Sequence, residues 1–178
     1  MANYDFSSKA SRTALVGVLS AGSLALLWLT CLSPTGRLGL DAVAGLFPVA
    51  AVLAGGRAAG YLCWAASGVL GLILLPDKGI ALMYLLFFGL YPVLKSRFEG
   101  ERRQWLGWLF KMGYFNLVLF VFLFVLRAVF VPNLPSWLTE SWMIWLFGNI
   151  VFLVYDVGLS RLIFGLFRRM APGSRKRK

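Results

Sequence analysis

Six apolar stretches separated by short polar breaks constrain this chain more than any motif, because the basic residues beside them sort to alternate breaks. With the N-terminus cytoplasmic, Lys9/Arg12, Arg57, Lys95/Arg97/Arg102/Arg103 and the segment from Arg168 to Lys178 all fall inside. The opposite side keeps little beyond Arg37, Lys78 and Arg127. This is the positive-inside pattern of short loops next to membrane spans. The sequence therefore predicts an all-α integral membrane bundle of six transmembrane helices, multi-pass in the cytoplasmic membrane, with both termini cytoplasmic.

The expected spans are Thr13–Thr30, Leu38–Ala54, Ala58–Leu75, Ile80–Leu94, Trp105–Val131 and Trp137–Phe167. Most are near the roughly 17–25 residues that a membrane helix needs. The first is too long for a signal-peptide core and has no A-x-A-like site before Pro34, so it reads as a retained span. Pro34-Thr35-Gly36, Gly55-Gly56-Arg57, Pro76-Asp77-Lys78-Gly79 and Pro132-Asn133-Leu134-Pro135 are turn chemistry. The second and fourth spans are short and carry Pro48 and Pro92. A proline removes a helical donor, which a membrane helix tolerates where a neighbour satisfies the freed carbonyl, so both are expected to be bent and packed inside the bundle. One domain is expected over residues 1–170, with Lys95–Gln104 dividing four spans from a final pair and with a flexible basic tail at 171–178. No internal repeat is apparent.

Apolar residues make up 60% of the 178 and charged residues 14%, against about a quarter charged in soluble domains. The net charge of +11 sits beside the spans rather than among stacking aromatics, which favours anionic lipid headgroups as partner and argues against nucleic acid. The chain has no histidine, which excludes His-containing zinc, haem and serine-triad sites. Two cysteines and a single mid-membrane carboxylate cannot build a metal cluster or an intramembrane carboxylate dyad, and no P-loop is present. The expectation is a protein that is not an enzyme and that has no resident cofactor or metal.

Small residues recur every fourth position at Gly17, Ala21 and Ala25 in the first span, and again at Cys63, Ser67 and Gly71 in the third. Such stripes serve either packing within the bundle or docking of a partner helix. Ionisable residues inside spans are more informative, since a charge in lipid needs a partner or a cavity. Lys111 and Arg161 lie near helix ends, where long side chains snorkel. Asp156, near the bilayer middle, is expected to contact Asn116 across the last hairpin, as a structural clasp or as a ligand or proton site. Asp41 and Glu140 are acids at the outer side, able to meet a cationic ligand, although solvated loop charge is the commoner role for such residues. The tryptophans read as interfacial belts. A pocket opening outward would draw on Trp28, Tyr84 and Trp145, with Asn149 beside the last of these.

Leu46-Phe47-Pro48 through Gly55-Gly56-Arg57-Ala58-Ala59-Gly60, together with the small stripe of the first span, resembles the substrate-binding S components of energy-coupling factor transporters. The resemblance implies a six-helix protein that captures a vitamin-like micronutrient from outside and docks on a membrane scaffold driven by ATPases. It also implies docking through an Ala-x-x-x-Ala motif on the first helix, whose place is taken by Gly17–Ala21 and Ala21–Ala25. A second resemblance, to small six-helix cell-shape membrane proteins, implies instead a non-transporting scaffold or assembly factor. The topology is open to direct test. Single cysteines replacing Arg37 and Glu101 are expected to react with an impermeant thiol reagent from opposite sides of the membrane, and labelling from one side would overturn the six-span assignment.

Overall fold

The computed structural model describes residues 9–98, 104–125 and 141–170, and all regular structure among them is helical. The elements are α1 (Lys9–Leu32), α2 (Arg37–Ala44), α3 (Leu46–Gly55), α4 (Arg57–Leu74), α5 (Lys78–Met83), a π turn at Tyr84–Phe88, and α6 (Leu90–Phe98). They continue with α7 (Gln104–Phe120), a second π turn at Val121–Val125, and α8 (Ser141–Met170). Together they form six helical stretches long and apolar enough to cross a membrane: Ala10–Leu32, Arg37–Gly55, Arg57–Leu74, Lys78–Lys95, Gly107–Phe124 and Trp142–Ile163. Each overlaps one stretch expected from the sequence. The expected ends at 126–131 and 137–140, the turn at 132–135 and the tail at 171–178 lie outside the described residues. The chain groups into two compact units, Met1–Met112 and Gly113–Lys178, divided inside α7.

In the first unit α4 packs against α1 and α3, and α1 also packs against α2. The stripe on α4 faces inward, with Gly60, Cys63, Ser67 and Gly71 all buried. The second span is interrupted at Gly45, and Pro48 is the third residue of α3. Pro48 has no N–H to give the Ala44 carbonyl four residues back. That carbonyl instead accepts a hydrogen bond from the Ser23 hydroxyl of α1 at 3.1 Å. A neighbouring hydroxyl thus repairs the helical ladder, as burial in an apolar layer requires.

The fourth span repeats this design. Its π turn places the Gly89 N–H on the Tyr84 carbonyl at 2.7 Å, five residues back, where Gly45 bonds Asp41 at 3.1 Å, four residues back. The indole N–H of Trp64 donates to the Leu85 carbonyl inside the turn at 3.0 Å. Pro92, the third residue of α6, likewise cannot give the Phe88 carbonyl a helical hydrogen bond. Gly45 packs directly on this carbonyl, and a Cβ there would overlap it.

Contrary to the sequence reading, the chain does contain an internal repeat. Gly45-Leu46-Phe47-Pro48-Val49 and Gly89-Leu90-Tyr91-Pro92-Val93 differ only in which aromatic stands third. Nine positions separate Gly36 from Gly45 and ten separate Gly79 from Gly89. The π turn, with its longer hydrogen-bonding step, accommodates the additional residue. A match of five residues displaced by an insertion is too short to stand out in an apolar chain. The structure makes it visible by placing both copies at the same kind of helix break.

The α1–α2 and α4–α5 turns lie at one end of the unit and are tied to each other. Asp77 caps α5 by accepting from the Gly79 N–H at 2.9 Å, and its other oxygen pairs with Arg37 at 3.4 Å. The Lys78 ammonium closes the end of α4, donating to the carbonyls of Leu72, Ile73 and Leu75 at 2.7, 3.3 and 2.8 Å. A cation there complements the negative end of the helix dipole.

In the second unit, residues 113–125 pack on α8 through the stacked rings of Phe115 and Phe152, 4.5 Å apart, and through Gly148, which lies against Phe115 and Leu119.

Glycine at position 45 is fixed by the Phe88 carbonyl, whereas Gly17 has open space where a Cβ would stand. Gly45→Ala is expected to cost about 1–3 kcal/mol, the usual range for overpacking, and Gly17→Ala to leave stability unchanged or slightly raised. Thermal unfolding of the two variants in detergent checks this. Equal midpoints would show that the two breaks do not pack as described.

Candidate functional site

The two helix breaks converge on a polar centre in the first unit. Tyr84, fully buried, begins the π turn and directs its hydroxyl between α1 and α4. It lies 2.9 Å from the Ser23 hydroxyl and 2.7 Å from the Ser67 hydroxyl. Ser67 also donates back to the Cys63 carbonyl of its own helix at 2.7 Å. Four contacts, from Ala44 through Ser23, Tyr84 and Ser67 to Cys63, therefore share the three protons that these hydroxyls possess. The centre is rich in oxygen and poor in protons.

Asp41 lies on α2, which packs against α1 and against the π turn, the elements that carry Ser23 and Tyr84. It is 1% exposed, and its Oδ1 is sealed without a hydrogen-bond partner. The commoner expectation for this residue, a solvated loop charge, fails because α2 begins at Arg37. That start places Asp41 one turn inside the helix, on the face turned toward the unit's interior.

The other candidates fall in different places. Trp28 is 41% exposed and stands off the inward face of α1, which presents Ser20, Ser23, Leu27 and Thr30. In the second unit Asn116 and Asn149 form a reciprocal amide pair at 3.3 and 3.4 Å. Asn149 also donates to the Trp145 carbonyl at 2.7 Å. Asn116, expected to reach Asp156, thus has Asn149 as an amide partner two turns away along α8. Asp156 is itself buried, and its backbone carbonyl accepts from the Ser160 hydroxyl at 3.0 Å. Glu140 lies outside the described residues. Lys111, expected to snorkel, is instead buried with its ammonium 5.8 Å from the Trp108 ring, while Arg161 is exposed.

Gly17, Ala21 and Ala25 all lie on the exposed face of α1, so this small stripe does not pack within its own unit. It differs in this from the α4 stripe, which is internal. Sequence reasoning passed over Ser23 and counted Ser67 only in a small-residue stripe for packing or docking. The available signal was the second face of α1, where Ser20, Ser23 and Thr30 recur at helical spacing opposite the small stripe.

Removing the hydroxyls one at a time separates their roles. Ser23→Ala strips the Ala44 carbonyl of its donor and is expected to cost about 1–3 kcal/mol, the penalty of a buried unsatisfied group. Tyr84→Phe removes hydroxyl contacts between helices, worth about 0.6–1.7 kcal/mol in membrane proteins, and leaves Ser23 bonded to Ala44. A larger loss for Tyr84→Phe than for Ser23→Ala in chemical or thermal unfolding would contradict this assignment. No family model, no curated protein and no solved structure matches this chain.

Proposed function

We propose that this chain is a membrane-embedded, substrate-binding subunit of a micronutrient uptake transporter. In this reading it lies in the cytoplasmic membrane with both termini inside and docks on a separate ATP-driven scaffold. The observation that carries the reading is the convergence of two Gly-Leu-aromatic-Pro-Val helix breaks on a buried polar centre containing Asp41 and Tyr84. Interrupted membrane helices recur at the solute and ion sites of transporters. Burying a carboxylate among apolar helices is costly and has a functional use as its commonest reason.

The exposed stripe Gly17, Ala21 and Ala25 supports docking on a partner membrane helix, because small side chains let backbones approach. It serves equally a second reading, a non-transporting scaffold or assembly factor, which needs the stripe but no solute site.

Affinity purification followed by mass spectrometry of both small molecules and protein subunits separates the two. The transporter reading expects a bound small molecule together with an ATPase-bearing complex, and recovery of membrane proteins alone in repeated preparations would favour the scaffold. Ala21→Leu is expected to abolish association with the partner while leaving the monomer folded, since residue 21 is exposed. Aggregation of this variant in detergent would instead assign the stripe to folding.

A further inference from the structure

We propose that Asp41 is the anionic anchor of a site for a single monovalent positive charge, an alkali cation or a proton, at the break in the second span. The proposal goes beyond the transport reading and holds equally for a scaffold, because it concerns an ion that completes the fold rather than a carried solute.

Four observations carry it. Asp41 is buried, and its Oδ1 meets no donor; a carboxylate sealed in this way keeps its place only if a cation or a proton neutralises it. The two basic side chains at this end of the unit are committed elsewhere, Arg37 to Asp77 and the Ser33 carbonyl, and Lys78 to the end of α4. The elements packed on α2 carry hard oxygen donors: the hydroxyls of Ser23 on α1 and Tyr84 on the π turn, with Ser67 beyond them, share too few protons for their contacts, so a positive charge in their neighbourhood relieves the shortage. Finally, Asp41 stands in the last turn of α2, which ends at Ala44, where the helix dipole gives a carboxylate no compensation. One carboxylate suits one positive charge, whereas divalent ions gather more acidic ligands than this centre offers.

The titratable and charged groups on the elements packed against α2 are few. Tyr84 lies on the π turn, while α1 has Cys31 at the near end and Lys9 and Arg12 at the far end; α3 has none. Asp41 is therefore the acid whose charge the site must answer.

The test uses the full chain purified in detergent, with unfolding midpoints measured in sodium, potassium and choline chloride at equal ionic strength and then across mildly acidic to mildly alkaline pH. If the ligand is a metal ion, sodium or potassium raises the wild-type midpoint by several degrees over choline in a saturable manner, and Asp41→Asn shows no such rise. If the ligand is a proton, the alkali ions have no effect and the wild-type midpoint falls as pH rises, because folding then retains a proton that the unfolded chain releases. Asp41→Asn, whose amide supplies its own donor, loses that dependence. Wild type and Asp41→Asn responding in parallel in both series would overturn the proposal. Should Asp41→Asn fail to fold, the wild type alone decides through binding of radioactive sodium and potassium and through the infrared band of a buried neutral carboxyl group. Absence of both signals would likewise overturn it.

Discussion

A carbonyl inside an apolar layer must find a donor within the protein, and the first unit is arranged around two places where a proline withholds one. Pro48 leaves the Ala44 carbonyl to be met by Ser23 from α1, and Pro92 leaves the Phe88 carbonyl at the surface on which Gly45 rests. Once Ser23 is committed to this position, Tyr84 and Ser67 follow through their shared hydroxyl contacts. The polar centre thus has a structural origin in backbone chemistry that is costly to leave unfinished. The burial of Asp41 is not explained by that repair.

The six spans were legible because apolarity over some twenty residues is a local property that tertiary context does not reverse. Pro48 and Pro92 likewise announced interrupted helices and the need for a neighbouring donor, since a missing N–H can be read from the residue alone. The donor was not legible. Ser23 lies 21 positions before Ala44, and its helical register with Ser20 and Thr30 marks a polar face without naming the carbonyl that it serves. Asp41 misled for a related reason: it stands just past a turn in the sequence, and its burial depends on α1 and the π turn closing over it. The partner of Asn149 was not legible either: its reciprocal amide pair with Asn116 joins residues 33 positions apart.

The exceptions to the charge asymmetry have structural employment. Arg37 and Lys78, two of the few basic residues on the side opposite the cytoplasmic loops of the proposed topology, are held by an acid and by helix-terminal carbonyls. Their charges are locally compensated at the turns that join the hairpins. The two faces of α1 beyond its first turns show a comparable division: Ser20, Ser23 and Thr30 turn inward beside Leu27, while Gly17, Val18, Ala21, Ala25 and Leu29 turn outward. This inverts the ordering of a soluble helix, as expected where lipid rather than water is the solvent.

The repair of Ala44 by a residue of α1, and the seating of Gly45 on a carbonyl of the fourth span, also bear on biogenesis. The proline-bearing second span takes its missing donor from a helix made before it, and its contact surface from one made after it. Its junction is therefore complete only once the chain has been made through the fourth span. A chain ending after the third would retain its hydrophobic helices yet lack the partner against which that junction sets.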